Sequence, residues 1–549
     1  MRRLLIVPFL LALPCFLQAA GKTKPNVVFI VADDLGFSDL GCFGGEIHTP
    51  NLGALAMGGL RFTQFYNAAR CCPTRAALLT GQYQHKVGLA RNGRSLTRNG
   101  ATLAELLQTA GYQTAMSGKW HLSFTPVLAD KPLHQRWLDH RHDPGQPFAP
   151  VDTYPASRGF DQHFGIIWGV VNHFDPFSLV NGLEPVREVA RDFYFTDAIG
   201  AHAVKCVRDF AKAGRPFFLY VAHVAPHWPL HARPQEIAKY RDTYKDGWDA
   251  LRRRRWQRQL ELGLFDANAA TLPPVQGEGP GWDDLMPGRK EFLAAKMAVH
   301  AAMVDRLDQT VGDLVAALKE TGQFENTLIV FLADNGASPE LPNAPGYDRS
   351  AFTRDGRKIR YEPDGVAAAE LGGETSYAGI GPRWANAANT PFRFWKKESF
   401  EGGTHTACIA HWPAGLRTAP GATTETVGHV MDLVPTVLEI AGVNYPAKLG
   451  GHTLTPLDGR SLAPVLAGQA LPPRGPLFFE HEGGRAVRDG DWKLVSLARG
   501  DWELYDLAKD RTETRNLAAR EPERAKALAA AWQRWAEEVG VPGEAPDRQ

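Results

Sequence analysis

Cys71-Cys72-Pro73-Thr74-Arg75 runs directly into Ala76-Ala77-Leu78-Leu79-Thr80-Gly81. Proline suits a first helical turn, where its missing N–H costs nothing, and the alanines and leucines behind it form an apolar helical face. Cys71 is therefore expected at a helix N-terminus, where unpaired amides and the positive dipole end stabilise a charged nucleophile or a bound oxyanion. Asp33, Asp34, Asp334 and Asn335 offer only hard oxygen donors, which suit Ca²⁺ or Mg²⁺ rather than a soft transition metal. Three short segments add cations and imidazoles: Gly118-Lys119-Trp120-His121, Ala225-Pro226-His227-Trp228-Pro229, and Asn389-Thr390-Pro391-Phe392-Arg393 with Lys396, Lys397 and Glu401-Gly402-Gly403 beyond it. His223 competes with His227, and Lys397 with Lys396.

These residues need elements to bring them together. Asn26 to Ala32 is a β-branched and aromatic run of the kind found in strands buried on both faces, and it ends in Asp33-Asp34. Thr327 to Ala333 is a second such run, ending in Asp334-Asn335-Gly336 after a helical stretch from about Lys290 to Glu320. Helical patterns near 102–110 and 192–213, strands near 113–117 and 216–224, and this alternation predict an α/β sheet with helices on both faces. Ligands gather at the carboxyl ends of strands in such sheets, so the two acidic strand endings should meet at one rim. A Pro/Gly-rich passage follows Tyr445. Four short strands from Leu477 to Leu507, joined by Gly and Asp turns, and a final helix over about 521–539 then form a smaller unit.

The 549 residues carry 61 basic and 60 acidic side chains, a formal charge of +1. No global field is available to hold nucleic acid or an anionic membrane. Met1-Arg2-Arg3, the apolar run Leu4 to Leu17 and the exit Gln18-Ala19-Ala20 have the form of a signal peptide over residues 1–20, too short and too interrupted by Pro8 and Pro14 for a membrane anchor. The remaining cysteines form no disulfide framework, and Cys42, Cys206 and Cys408 read as buried small hydrophobes. Arg252 to Arg255 and Trp256, at helical spacing, read as a solvated amphipathic face.

The Cys71–Arg75 pentapeptide with its Leu79-Thr80-Gly81 continuation resembles the signature of type I sulfatases, Cys-x-Pro-x-Arg, whose first cysteine is oxidised to formylglycine. Thr74 stands where Ser is more usual. Gly111 to Leu122 and the Lys396 segment resemble further blocks of that family, although Thr404-His405-Thr406-Ala407 stands where relatives carry Arg, an apolar residue and Pro. The likeness extends from Asn26 to Leu517 and points to the bacterial arylsulfatase branch.

The resemblance implies an alkaline phosphatase-like α/β fold, with a central mixed sheet flanked by helices and a smaller C-terminal α+β subdomain on a short antiparallel sheet. The expected division is a catalytic domain over 22–445, a linker over 446–475 and the subdomain over 476–549. It also implies one calcium ion held by Asp33, Asp34, Asp334, Asn335 and the modified Cys71. Arg75, Lys119, His121, His227 and Lys396 complete the catalytic set, the family pattern choosing His227 and Lys396. The implied activity is hydrolysis of sulfate monoesters, aryl, alkyl or carbohydrate, by an exported, periplasmic or extracellular enzyme with no stable membrane insertion. A separate maturation enzyme must first oxidise Cys71. Phosphodiesterases or phosphonate monoester hydrolases of the same superfamily, and a non-catalytic sulfoglycan-binding protein, are the alternative readings. The substrate pocket walls are expected from 124–183 and 338–388, with Trp168, Asn172, His173, Tyr377 and Trp384 as candidate rim residues.

Overall fold

Asn26–Asp33 (β1) is buried along its whole length because it lies at the middle of a large sheet, with Phe217–Pro226 and Thr327–Ala333 paired parallel on either side. This computed structural model describes residues 24–541, so the expected signal peptide lies outside the described residues. The other members of the sheet are Leu60–Tyr66 (β2), Gln113–Lys119 (β3), Gln162–Ile166 (β4), Leu179–Asn181 (β5) and Glu184–Pro185 (β6). Phe217–Pro226 is β7 and Thr327–Ala333 is β8; His405–His411 (β9), Ala422–Thr424 (β10) and Gly428–His429 (β11) follow. The spatial order is β10-β2-β9-β8-β1-β7-β3-β4-β5-β6, with β11 also paired to β2. β9 runs antiparallel to both β2 and β8, and β5 antiparallel to β4, so the sheet is mixed.

Helices cover both faces, as the alternation of elements requires. Phe195–Ala213 and Pro287–Glu320 pack on one side through Ile199, Val207, Met303 and Leu314. Cys71–Thr80 and Leu433–Ala441 pack on the other through Leu78, Leu79, Val434 and Val437. That second core continues into the four-stranded antiparallel sheet of Leu477–His481, Gly484–Asp489, Trp492–Ser496 and Glu503–Asp506, and onto the helix Pro522–Glu538. The passage from 446 to 475 lies against the same core with Leu454, Leu462, Val465 and Leu466 buried, and Asp458 pairs with Lys86 at 2.8 Å. Among the described residues no helix is long and apolar enough to cross a membrane, and all five cysteines are free.

The arginine run differs from its sequence reading. On the helix Gly247–Glu261, Arg252 and Arg255 are buried, Arg252 donating to the Pro273 carbonyl at 2.6 Å. Arg255 binds Asp39 and Glu46 at 2.8 Å each. A buried guanidinium is tolerated because those carboxylates, supplied by a distant turn, neutralise it.

Neutral histidines fill part of the interior. Burial pushes His163, His223, His405 and His429 down to about 3 and His173 to about 4. Their folded pKa values lie below the unfolded value near 6.5, so the unfolded chain takes up protons first as pH falls. Stability is complete above about pH 6.5 and is lost progressively toward pH 3–4, at up to about 1.4 kcal/mol per pH unit for each group. The thermal midpoint is therefore expected to drop steeply between about pH 6.5 and 4.5; a flat midpoint across that range would show that these rings protonate in place.

Candidate active site

Register places the acidic endings side by side. Ala32 pairs with Ala333, and the Asp334 amide donates to the Ala32 carbonyl at 3.1 Å, so Asp33, Asp34, Asp334 and Asn335 share the carboxyl rim of the sheet. β3 ends there with Lys119, whose ammonium binds Asp33 Oδ2. β7 ends opposite Asp33 and delivers the His227 loop. The Lys396 amide bonds to the Ala337 carbonyl at 3.1 Å, fixing that loop beside Asp334-Asn335. The two backbones approach so closely that a Cβ on Gly336 would collide with the Gly402 carbonyl. Cys71 is the first residue of its helix, as expected, and Thr74 Oγ1 steadies the preceding turn by accepting from the Ala68 amide at 2.9 Å.

All the nominated residues except Cys71 and His121 are joined to one another by direct side-chain contacts. Arg75 donates Nε and Nη2 to Asp334 Oδ2 at 2.9 and 2.7 Å, and Nη1 to the Lys119 carbonyl at 3.1 Å. Asn335 Nδ2 donates to Asp34 Oδ1 at 2.7 Å. Lys396 Nζ reaches Asp34 Oδ1 at 2.8 Å, whereas Lys397 turns outward to pair with Glu482. His227 Nδ1 donates to the Trp228 carbonyl at 2.5 Å, which leaves Nε2 facing Asp34 Oδ2 at 3.5 Å. His173 supports it from behind, donating Nε2 to the His227 carbonyl at 3.3 Å. His223 instead bonds with Thr310 inside the core, a structural position. His121 lies over Gly169, where a Cβ would come within 2.6 Å of the ring, and its Nδ1 is buried without a partner. Asp34, Ala69, His121 and Lys397 all adopt left-handed backbone with φ of 65, 60, 56 and 86°. Such strain persists only where the surrounding structure over-determines it, and these four residues lie on segments that carry or adjoin the nominated site residues.

Burial dominates the electrostatics. It pushes the Asp33 carboxyl up, but Lys119, His227, Arg75 and Lys396 override it and hold Asp33 well below the usual range. Asp334 is raised, by burial first and by the Asp33 charge second. Burial pulls His227 down to about 4 and His121 well below its ordinary value, with Lys119 and Arg75 adding to the latter. Cys71 and Cys72 are both raised by burial, so neither is a thiolate near neutral pH, and thiol chemistry is disfavoured at both.

The donor set fits a hard cation. Asp33 Oδ1 and Asn335 Oδ1 are buried with no hydrogen-bond partner, and ligand atoms of Asp33, Asp34 and His227 lie within 4.8 Å of one another. Unpaired carboxylate and amide oxygens in a dry site are what a calcium-sized ion coordinates. The softer His227 nitrogen stands at the edge of this oxygen set.

The sulfatase family model matches residues 25–443. The chain belongs to the sulfatase family. It is a sulfuric ester hydrolase, and its mixed sheet with a C-terminal antiparallel sheet is the architecture the sequence implied. A second model, described as N-sulphoglucosamine sulphohydrolase, C-terminal, matches residues 392–538. An uncharacterized sulfatase of Schizosaccharomyces pombe is 33% identical, covering 96% of each chain. An arylsulfatase of Klebsiella aerogenes is 32% identical over 82% of this chain and 93% of its own. Among solved structures, the crystal structure of Ps i-CgsB matches with a TM-score of 0.65 and 25% identity, covering 94% of this sulfatase and 93% of that chain.

Sequence reasoning missed Glu340. Its carboxylate binds Arg70 Nη1 at 2.9 Å, Trp228 Nε1 at 2.9 Å, Ser338 Oγ at 3.0 Å and Lys396 Nζ at 3.1 Å. The candidate rim aromatics, by contrast, pack inside the protein. Trp168 donates to the Phe148 carbonyl among Trp137 and Phe177, Tyr377 packs on Tyr361, and Trp384 lies between Trp248 and Trp282. Asn172 donates to the Glu374 carbonyl at 2.8 Å.

Proposed function

We propose that this sulfatase is an exported, arylsulfatase-type enzyme that hydrolyses sulfate monoesters through a formylglycine made from Cys71, with one calcium ion held by Asp33, Asp34, Asp334, Asn335 and the modified residue 71. The observation that carries this reading is the pair of unpartnered buried oxygens, Asp33 Oδ1 and Asn335 Oδ1, beside a helix-start cysteine whose thiol is not ionised. The hydrated aldehyde offers two hydroxyls on one carbon, one to attack sulfur and one whose deprotonation restores the aldehyde and frees sulfate. Calcium, when bound, supplies positive charge for the sulfuryl oxygens and acidifies the attacking hydroxyl.

The chain's own groups do the rest. Asp334 accepts the proton of the attacking hydroxyl, and Arg75, bound to Asp334 through two nitrogens, fixes that carboxylate. Lys119 and Lys396 balance charge on the sulfuryl oxygens from a preorganised, water-poor site. His227 Nε2, its tautomer set by the Trp228 carbonyl, donates a proton to the leaving oxygen with help from Lys396. His121 takes the proton of the second hydroxyl.

The test is a panel of aryl, alkyl and carbohydrate sulfates beside phosphate mono- and diesters, assayed on protein co-expressed with a formylglycine-generating enzyme. Sulfate esters should turn over fastest; preference for phosphate diesters would overturn the reading. A chelator should also lower the thermal midpoint by several degrees, and calcium should restore it, since a ligand at a hundred times its Kd stabilises by about 2.7 kcal/mol. A midpoint indifferent to chelation would remove calcium from the site.

A further inference from the structure

Glu340 stands beside Lys396 and the loop after His227, the side from which the proposed mechanism protonates the leaving oxygen. Its carboxylate joins the residue before the nucleophile, Arg70, to the loop after His227 and to Lys396, so it ties together three of the segments that converge on the site. Burial would push this carboxyl up, but Lys396, Arg70 and His227 keep it well below the ordinary range, so it is charged. It is also partly open, with 31% of its side chain exposed, whereas Lys396 beneath it is closed off. A substrate reaching Lys396 meets Glu340 on the way.

A second carboxyl stands nearby: Asp348, eight residues on, is raised to about 6, by burial first, and lies close enough to Lys119 and Glu340 to feel both charges. Phe124, Val127, Leu341 and Tyr347 are among the few large hydrophobic side chains left exposed. They lie on two segments that meet: the Tyr347 phenol bonds with Thr125, between Phe124 and Val127, the Tyr347 carbonyl accepts from His134, and Leu341 follows Glu340 directly. Arg70, the residue before Cys71, is already neutralised by Glu340 at 2.9 Å. Arg91 and Arg94 flank the Asn92 that bonds Cys72, but both point out from the surface.

We infer that Glu340 is a specificity-determining residue: it positions Lys396 and Arg70 and rejects esters whose leaving group carries a second negative charge, so the substrate class is a monosulfate of a neutral, largely apolar alcohol or phenol. This rests on the sulfate ester hydrolysis proposed above. A second carboxylate or sulfate on the leaving group would be held within several ångströms of Glu340 in a partly desolvated mouth, where like charges repel strongly. A neutral ring would lie on the exposed apolar side chains without that cost.

The experiment compares a neutral phenyl sulfate with a carboxylate-bearing analogue of matched leaving-group acidity on the matured enzyme. Wild type should favour the neutral ester by at least about tenfold in kcat/KM. E340Q should lose most of that preference while slowing both esters, because the amide keeps the shape but not the charge. E340D, which keeps the charge on a shorter arm, should slow turnover yet keep the preference, and it serves if the glutamine variant does not fold. A purely structural role would slow both esters equally and leave the ratio unmoved in E340Q, which overturns the inference. A wild-type preference for the doubly charged ester also overturns it, and points to Arg91 and Arg94 instead. If matured wild type cleaves no sulfate ester at all, the failure belongs to the underlying reading, and the inference falls with it.

Discussion

Cys71→Ala is expected to lower sulfate ester turnover by at least about 10⁴-fold in the matured enzyme, the scale on which removal of a covalent nucleophile acts. The thermal midpoint should hardly move, because the Cys71 side chain is small and only a sulfur is removed from a turn that Thr74 Oγ1 and the helix itself continue to hold. Cys72→Ala gives the contrast. Its Sγ lies 2.8 Å from Asn92 Oδ1, turned toward the neighbouring loop and away from the carboxylates, so turnover should stay within about tenfold of wild type. Were the vicinal pair a redox couple, both substitutions would be equally damaging. Mass spectrometry of the peptide spanning residue 71 completes the test: an aldehyde should replace the thiol in active preparations, in proportion to their specific activity. Full activity in protein that retains an intact thiol at position 71 would remove formylglycine from the account.

The parts of this site that could be read from sequence are those in which one short segment contains both the chemistry and its placement. The two acidic strand endings are of this kind: a buried parallel strand has to be apolar throughout, so the first polar residues after it mark the rim of the sheet. The start of the Cys71 helix is another, because proline and the apolar run after it are local signals. β2 and β9 went unread for the converse reason. Leu60–Tyr66 and His405–His411 carry Arg, Thr, Gln and His inside fully or nearly buried strands, and no apolar run announces them. His405 is tolerated there only because its Nε2 donates to the Thr63 carbonyl at 2.8 Å and the ring stays neutral. Glu340 and Arg255 were illegible in a stronger sense. Nothing in a lone glutamate or in a run of arginines says that its partners arrive from loops tens to hundreds of residues away. The aromatic residues of the long loops misled in the opposite direction, since Trp168 and Trp384 have the composition of a binding rim and the surroundings of a core.

The two histidines should separate by leaving group. His227→Ala is expected to slow esters of poor leaving groups, such as alkyl sulfates, by about 10²–10⁴-fold, and activated aryl sulfates by far less. The reason is geometric. With Nδ1 committed to the Trp228 carbonyl and the ring backed by His173, only Nε2 can exchange a proton, and it faces Asp34 on the Lys396 side of the site. A proton given to the departing oxygen matters in proportion to how badly that oxygen needs it. Burial draws His227 down to about 4, so on its own it is neutral near pH 7, and donation requires that Nε2 first gain a proton, from the Lys396 ammonium or because the bound anion raises the imidazole pKa. The activity of wild type on poor leaving groups should accordingly fall as pH rises through the bound-state pKa, whereas His227→Ala should lose that limb. His121→Ala makes the opposite prediction. Its ring lies over Gly169 with Nδ1 buried and unpartnered, and in the proposed mechanism it takes a proton from residue 71 after the ester bond is gone, so its loss should slow good and poor leaving groups alike and trap sulfated protein. If His227→Ala damages activated and poor esters equally, the proton donor lies elsewhere, and Lys396, 2.8 Å from Asp34 and already charged, becomes the group to test in its place.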